Sequence, residues 1–262
     1  MARIETNLGI AVGYSDSGGG ERIPILFLHG VGSDRSVWRP QLDHFGAERR
    51  SVAFDYPGYG DSDPAPEGTS RDDYAAALLS AMSKLGIERA HICGLSLGGV
   101  VAIAMGHRQP GACASLIVAD SFAIHPDGQA IYDRSIAASG NLRAMAEARV
   151  DVLLAQPADG EVRREVIETM AAIDPAAYCI GAEAVWLADQ RARARELRAP
   201  TLVLCGTEDK VTPPALSTEL ARIIPGARYE PLNGAGHLGN IERPDEFNTV
   251  VGAFIRAVDS RS

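Results

Sequence analysis

The chain contains little cysteine, no long hydrophobic run and no excess of positive charge. Its four cysteines show no C-x-x-C spacing, so we expect small buried side chains in a reducing, cytoplasmic setting. No segment approaches the roughly 20 apolar residues of a membrane span, and MARIETNLGI at the N-terminus lacks the apolar core of a signal peptide. Lys and Arg number 25 against 34 Asp and Glu, with no basic stripe. We therefore expect neither a membrane nor a nucleic acid as partner.

Motifs for metals and cofactors are also missing from the chain. There is no H-E-x-x-H or similar ligand spacing, and no G-x-G-x-x-G followed by an acidic residue. We therefore expect chemistry without a metal or a cofactor. The length of 262 residues fits one large α/β domain with an insertion, or two small domains.

The sequence does contain a regular alternation of short apolar runs and helix-like segments. The apolar runs are 23–28, 51–54, 90–93, 115–119, 201–205 and 227–232, and the helix-like segments are 71–85, 97–108, 214–224 and 244–258. Short apolar runs followed by turn residues are typical of strands buried on both faces, and the alternation predicts a parallel sheet covered by helices. Residues 4–14 are predicted to form a leading antiparallel hairpin instead.

The alternation stops between about residues 122 and 198. This stretch is rich in Ala, Arg and Glu and has helical spacing, as in Leu142 and Met145. We interpret it as a helical cap, residues 122–198, inserted into a core made of residues 1–121 and 199–262. The alternative is a run of ordinary helices that cover the sheet.

The stretch HICGLSLGGVVAIAMG, residues 91–106, places one serine at the turn between a strand and a helix. Ser96 lies between Gly94 and Gly98 in the G-x-S-x-G pattern of a nucleophile elbow. Such a turn imposes strained backbone angles and needs small neighbours. We therefore predict that Ser96 is a nucleophile, and the alternative is a plain turn serine.

The ends of the predicted strands supply partners for this serine, because the carboxyl ends of parallel strands meet at one edge of a sheet. His237, in a glycine-rich loop, is predicted to take the proton of Ser96. Asp209 is predicted to fix the tautomer of His237 and to stabilise its charged form. Asp120, which ends the strand before the cap, is the competing candidate for this acid. The main-chain N–H groups of Val31 and Leu97 are the predicted oxyanion donors.

Five segments, FLHGVGSDRSVW, DYPGYGDSD, GLSLGG, GTEDKVTP and GAGHLGNIERPDEF, together resemble the α/β-hydrolase superfamily. The resemblance covers nearly the whole chain. It implies an α/β-hydrolase fold, in which helices flank a mostly parallel, twisted sheet and a helical cap is inserted. It also implies a triad of Ser96, Asp209 and His237 with oxyanion donors at Val31 and Leu97. The segment IPGARYEPLNGAGHLGNIERPDEF and the chain length most resemble 3-oxoadipate enol-lactonases and related carboxylic-ester hydrolases, which implies a role in aromatic catabolism.

The predicted function is a serine hydrolase that cleaves a carboxylic ester or (enol-)lactone through an acyl-enzyme. The expected partner is a small-molecule ester or lactone, and a homo-oligomer is compatible with the sequence. One alternative is a C–C bond hydrolase of ring-cleavage dienoates, or a perhydrolase, with the same triad. Another is a non-catalytic binding protein. Dehalogenases and epoxide hydrolases of this fold resemble the chain but place an aspartate where Ser96 stands.

Two cap residues are candidate substrate contacts. An enol-lactone of the kind implied carries a carboxylate, and a protein of net charge −9 must supply a local cation to hold it. Arg134 is the predicted anchor because it follows soon after the strand that ends at Asp120; the alternative is a surface ion pair. Trp186 is predicted to be either core or a wall of the substrate pocket.

Overall fold

The computed structural model describes residues 2–261 and contains one eight-stranded sheet in that range. The strands are β1 (Ala2–Glu5), β2 (Ala11–Asp16), β3 (Ile25–Leu28), β4 (Ser51–Phe54), β5 (Ala90–Leu95), β6 (Cys113–Ala119), β7 (Thr201–Gly206) and β8 (Arg228–Leu232). They lie in the order β1-β2-β4-β3-β5-β6-β7-β8. β2 pairs antiparallel with both β1 and β4, and the remaining pairs are parallel. The leading hairpin and the parallel sheet predicted from the sequence are confirmed.

Helices cover both faces of this sheet. In residues 2–261 they are α1 (Arg39–Phe45), α2 (Arg71–Lys84), α3 (Leu97–Arg108), α4 (Gly128–Ala138), α5 (Leu142–Leu153), α6 (Gly160–Ala171), α7 (Pro175–Trp186), α8 (Arg191–Glu196), α9 (Pro214–Ile223), α10 (Gly239–Glu242) and α11 (Pro244–Asp259). Three short 3-10 helices lie at Arg35–Trp38, Pro110–Ala112 and Ser139–Asn141. Within the described range no helix combines the length and the apolar character needed to cross a membrane.

The apolar runs are continuous because the central strands bury both faces. Successive side chains of a strand point to opposite sides of the sheet. In β3, Leu26 and Leu28 accordingly join the hydrophobic core that contains α2 and α3. Ile25 and Phe27 join the core on the other face, with α11 and Trp38. Because both faces of the sheet are packed, its strands are fixed, and so are the starting points of the loops at their carboxyl ends.

Five helices, α4 to α8, lie between β6 and β7, in the segment for which the sequence predicts a cap. Within this group α4 packs on α7 and α5 packs on α6, while α7 and α8 contact α3 of the core. Within residues 122–198 the only β structure is one isolated bridge between Ile124 and Asp189.

The last helix is tied to the sheet through a buried polar cluster. His91 of β5 donates from Nε2 to Asp259 of α11 at 2.9 Å and accepts at Nδ1 from the hydroxyl of Ser115 at 2.8 Å. Arg49, which is only 1% exposed, donates to the other oxygen of Asp259 at 2.9 Å. Burial lowers the pKa of His91 to about 4, and Asp259 opposes this shift only in part. His91 is therefore a neutral structural histidine.

Candidate active site

Ser96 occupies a strained turn between β5 and α3. Its backbone angles are φ 56° and ψ −113°, in a region that non-glycine residues rarely adopt. The flanking glycines are required by close packing: a Cβ on Gly94 would collide with the carbonyl of Gly98, and one on Gly98 with the carbonyl of Leu28. The strain holds the serine at the carboxyl edge of the sheet, directly before the N-terminus of α3.

His237 and Asp209 come from the loops after β8 and β7, and their side chains meet. The distance between His237 Nδ1 and Asp209 Oδ2 is 2.9 Å. A carboxylate only accepts, so Nδ1 carries the proton and Nε2 is left as an acceptor. This is the tautomer that a general base requires.

The acid is held by its own loop as well as by the histidine. Oδ1 of Asp209 accepts from the N–H groups of Val211 and Thr212 at 2.8 and 2.9 Å, and Oδ2 accepts from the Thr212 hydroxyl at 2.7 Å. Burial alone would raise the pKa of Asp209, but His237 and these hydrogen bonds lower it to about 2. The group is therefore ionised at neutral pH, although it is almost completely buried.

Ser96 and His237 line the same cavity, which we call the Ser96 cavity. Its walls are Gly30, Val31, Gly32, Ser33, Val37, Ser96, Arg149, Leu153, Glu165, Val166, Thr169, Met170, Tyr178, Trp186, Val211, His237, Leu238 and Ile241. The walls come from the loops at the strand ends and from helices α5, α6 and α7 of the segment between β6 and β7, and most of them are apolar. The free volume is about 50 Å³, which is room for roughly four waters at about 10–15 Å³ each. The free space between these walls is therefore small.

Two main-chain donors flank this position. Leu97 follows Ser96 as the first residue of α3, where helix geometry leaves the N–H without an intrahelical acceptor. Val31 lines the cavity. Within residues 2–261 neither N–H has a hydrogen-bond partner, although Leu97 is fully buried and Val31 is only 8% exposed. Buried N–H groups are rarely left unpaired, so this pair is suited to receive an oxyanion.

Asp120 lies beneath the acid loop and does not contact His237. Its φ is 49°, it is buried, and its Oδ1 accepts from the N–H of Gly206 at 2.8 Å. One oxygen of Asp120, one of Asp209 and the sulfur of Cys205 lie within 4.8 Å of one another. Burial, followed by the charge of Asp209, raises the pKa of Asp120 well above its usual value. The histidine partner is thus Asp209, and Asp120 supports the end of β7 through its bond to Gly206.

Glu242 is a site residue that the sequence reasoning missed. One oxygen of its carboxylate accepts from the N–H groups of Gly236 and Leu238 at 3.0 and 3.3 Å, on both sides of His237. The other accepts from the N–H of Ala155, just after α5, at 2.7 Å. Burial raises the pKa of Glu242 despite these bonds. The sequence shows Glu242 only as part of the quoted GAGHLGNIERPDEF segment, so no local signal distinguishes it from a solvent-exposed acid.

The structure differs from the sequence prediction at Arg134. This side chain is exposed on α4 and is not a wall of the Ser96 cavity, because α4 turns the neighbouring Ser135 inward. The cavity arginine is Arg149 of α5, whose Nη1 lies 3.3 Å from the hydroxyl of Tyr178. Trp186 does line the cavity, and its ring stacks on Phe122 with centroids 5.9 Å apart.

The chain belongs to the alpha/beta hydrolase family, whose model matches residues 25–250. Over 245 residues it is 29% identical to 3-oxoadipate enol-lactonase 1 of Acinetobacter baylyi, covering 92% of this chain and 91% of that protein. Over 266 residues it is 29% identical to 2-hydroxymuconate semialdehyde hydrolase of Pseudomonas sp. strain CF600, covering 96% and 93%. The crystal structure of the enol-lactonase from Burkholderia xenovorans LB400 matches with a TM-score of 0.90 and 28% identity, over 97% of this chain and all of that one. The predicted fold and the resemblance to enol-lactonases are confirmed.

Proposed function

We propose that the protein is a serine hydrolase that cleaves a carboxylic ester or (enol-)lactone through an acyl-enzyme. One observation carries the proposal. Ser96, at a left-handed turn, shares a cavity with His237, whose Nδ1 is bonded to Asp209 at 2.9 Å. This arrangement leaves Nε2 of the imidazole unprotonated and therefore able to accept a proton.

The proposed reaction has two halves. The hydroxyl oxygen of Ser96 attacks the substrate carbonyl while His237 Nε2 takes its proton, and the oxyanion accepts from the N–H groups of Val31 and Leu97. The carbon–oxygen bond to the leaving group then breaks, and the imidazolium returns the proton to that oxygen. In the second half, water attacks the acyl-enzyme by the same route and releases the carboxylic acid. Asp209 stabilises the imidazolium each time.

The relatives support an ester or lactone as substrate. Two of the proteins compared are enol-lactonases, and each match covers nine-tenths or more of both chains. In a lactone the leaving group remains attached to the acyl group, so the same steps open the ring without loss of a fragment. A cytoplasmic location and a homo-oligomeric state stay predictions.

Active-site titration tests the proposal. We expect a burst of nitrophenol from para-nitrophenyl acetate, equal to the enzyme concentration, followed by slower turnover. Ser96→Ala should remove both phases, with a rate loss of about 10⁴- to 10⁶-fold. Folded protein with no burst and no labelling of Ser96 by a fluorophosphonate would contradict the proposal and favour a binding protein.

A second candidate is hydrolysis of a C–C bond in a ring-cleavage dienoate, supported by the match to 2-hydroxymuconate semialdehyde hydrolase. It would use the same three residues. Bleaching of a coloured dienoate by the wild type, with no release of nitrophenol from esters, would favour it over the ester hydrolase.

A further inference from the structure

Tyr59, in the loop after β4, contacts the residue that carries one of the two oxyanion donors. Its side chain is 1% exposed and is not a wall of the Ser96 cavity. Its hydroxyl donates to the main-chain carbonyl of Val31 at 3.2 Å. Burial raises the pKa of Tyr59 well above its usual value, so the hydroxyl keeps the proton that this bond needs. The proposed reaction makes no direct use of this buried hydroxyl.

Hydrogen bonds on both sides of Val31 together fix the direction of its N–H group. The peptide bond between Gly30 and Val31 is trans, so its carbonyl and its N–H point in opposite directions. His29 donates from Nδ1 to the Gly30 carbonyl at 2.8 Å, which turns the N–H of the same peptide away from His29. The Tyr59 hydroxyl holds the next peptide through the Val31 carbonyl. With both peptides held, the N–H of Val31 keeps one orientation.

The turn that carries Tyr59 contains two glycines in the left-handed region. Gly58 has a φ of 90° and Gly60 a φ of 49°. Close packing surrounds both of them. A Cβ on Gly58 would lie 2.9 Å from the Cβ of Ala177 in α7, and one on Gly60 would collide with the carboxylate of Asp55. The turn therefore brings Tyr59 against α7.

Helix α7 confines the hydroxyl of Tyr59. A Cβ on Gly181 would collide with this hydroxyl oxygen, and it would lie 3.1 Å from Cγ2 of Val31. Ala177 and Gly181 are four residues apart, so they share the face of α7 that meets the turn. Glycine is unfavourable inside a helix, and the close approach of the hydroxyl accounts for it here. The hydroxyl thus lies between the Val31 carbonyl and the backbone of α7.

The same helix contributes walls to the Ser96 cavity. Tyr178 and Trp186 of α7 line that cavity, whereas Gly181 contacts the support of the oxyanion donor. One helix of the segment between β6 and β7 therefore has two contacts with the site. A displacement of α7 would move the Tyr59 hydroxyl as well as the cavity wall.

We propose that Tyr59 is a positioning residue that fixes the Val31 N–H as an oxyanion donor, and that Gly181 allows α7 to hold the Tyr59 hydroxyl in place. The inference rests on the proposed function and adds α7 to the elements that set its oxyanion site. Tyr59 touches no reacting atom. Loss of its hydroxyl should therefore weaken stabilisation of the tetrahedral intermediate and leave binding of the uncharged substrate nearly unchanged.

The first test removes the hydroxyl alone. Tyr59→Phe should lower kcat/KM for para-nitrophenyl valerate by about 10-fold, less than the roughly 100-fold or more for loss of an oxyanion donor, because the Val31 N–H is still present. Tyr74→Phe is the matched control. Tyr74 is fully buried, its ring stacks on Tyr56 with centroids 4.8 Å apart, and its hydroxyl has no hydrogen-bond partner among the described residues. This control should keep kcat/KM within twofold of wild type.

A ketone inhibitor distinguishes oxyanion stabilisation from general damage to the cavity. In trifluoromethyl butyl ketone the Ser96 oxygen adds to the carbonyl carbon, the serine proton passes to His237, and the carbonyl oxygen becomes an oxyanion. Fluorine NMR gives the dissociation constant. Tyr59→Phe should raise it by the same factor by which kcat/KM falls. The Ser96→Ala protein forms no adduct, so adding Tyr59→Phe to it should change ketone binding by less than twofold.

The second test displaces the hydroxyl without removing it. Gly181→Ala should lower kcat/KM several-fold, because the new methyl group collides with the Tyr59 hydroxyl. In the Tyr59→Phe background the same substitution should add little, since the colliding oxygen is gone, and the double-mutant cycle measures this coupling. Gly160→Ala, in α6, is the control because a Cβ there meets no atom within 4 Å.

The inference is overturned if folded Tyr59→Phe keeps kcat/KM within twofold of wild type, or if it weakens ketone binding equally with and without Ser96. If Tyr59→Phe does not fold, unchanged kcat/KM and ketone binding in Gly181→Ala overturn it instead. Ester hydrolysis by wild type that depends on Ser96 leaves the proposed function intact in each case. If wild type hydrolyses no ester, the proposed function fails. Ketone binding in Tyr59→Phe and Tyr74→Phe then decides the inference, and a ketone that does not bind wild type overturns it.

Discussion

The backbone N–H of His237 donates to the carbonyl of Leu153, the last residue of α5, at a distance of 2.8 Å. The candidate base is thus attached to α5, a helix of the segment between β6 and β7, as well as to the loop after β8 that carries it. Glu242 strengthens the attachment, because its carboxylate joins Ala155 to Gly236 and Leu238. The position of the imidazole depends on contacts far from the reacting atoms.

Loss of the Glu242 carboxylate should therefore affect turnover more than substrate binding. Glu242→Ala leaves three N–H groups without their acceptor. We expect destabilisation of about 1–3 kcal/mol, a fall in kcat of at least tenfold and little change in KM. Glu242→Gln keeps one oxygen and should recover part of kcat. Glu219→Ala, at an exposed position on α9, is the control. An equal effect on kcat in both alanine variants would contradict this role.

The strain at Ser96 predicts opposite effects on stability and activity. Glycine adopts a positive φ without steric cost, so Ser96→Gly should raise the free energy of unfolding by about 1 kcal/mol. The same variant lacks the nucleophile and should be inactive. Urea denaturation and ester hydrolysis measure the two effects. A Ser96→Gly protein that is less stable than wild type would show that the turn is not strained.

Substitution by asparagine should reduce activity much more at Asp209 than at Asp120. Asp209→Asn removes the acceptor that fixes the His237 tautomer, so we expect a loss of about 10⁴-fold in kcat. Asp120→Asn keeps an acceptor for the N–H of Gly206 and should retain most of the activity. Nitrophenyl ester kinetics on the two purified variants distinguish them. A larger loss in Asp120→Asn would exchange the two assignments.

Asp120→Asn should also change how stability depends on pH. The pKa of Asp120 is higher in the folded protein than in the unfolded chain, where it is near 4. As the pH rises above 4, the unfolded chain is stabilised because this carboxyl group ionises there more easily. The free energy of unfolding therefore falls as the pH rises. Asparagine has no such cost. The variant should match wild type near pH 4 and become the more stable protein as pH rises, by at most about 1.4 kcal/mol per pH unit. A difference in the free energy of unfolding between the two proteins that stays constant from pH 4 to 8 would refute the raised pKa of Asp120.

His91 should make the free energy of unfolding fall as the pH is lowered, which is opposite to the effect of Asp120. Its folded pKa of about 4 lies below the unfolded value of about 6.5. The contribution of His91 to stability is therefore complete above about pH 6.5 and is lost as pH falls toward 4, by up to about 3 kcal/mol. Denaturant unfolding at pH 7.5 and at pH 5 measures it. His91→Asn should flatten this part of the profile, whereas His44→Asn, at an exposed position, should not.

Local sequence signals predicted the core well. The apolar runs located β3 to β8 within two residues at each end, and Leu97–Arg108 was found as predicted. The elbow at Ser96 was readable because glycines at both flanking positions have no other local purpose. These features depend on neighbours in the chain, which the sequence displays directly.

The cap could not be predicted to the same depth. Helical spacing shows which side chains share a face of one helix, but not which face a neighbouring helix covers. Arg134 was chosen over the other cap arginines by its place in the chain alone, and only the packing of α4 and α5 shows that Arg149 and not Arg134 lines the Ser96 cavity. Glu242 was missed because one of its acceptor contacts is made to Ala155, 87 residues away in the chain.

The contact between Leu153 and His237 also limits how this protein can be rebuilt. A transplant of residues 122–198 from a relative would replace the carbonyl that holds the imidazole loop, together with the N–H that Glu242 accepts from. Such a hybrid would gain a new specificity, but His237 would be displaced. A hybrid that retains residues 153–155 of the recipient and exchanges only what surrounds them would leave proton transfer undisturbed, so the exchangeable module is smaller than the cap.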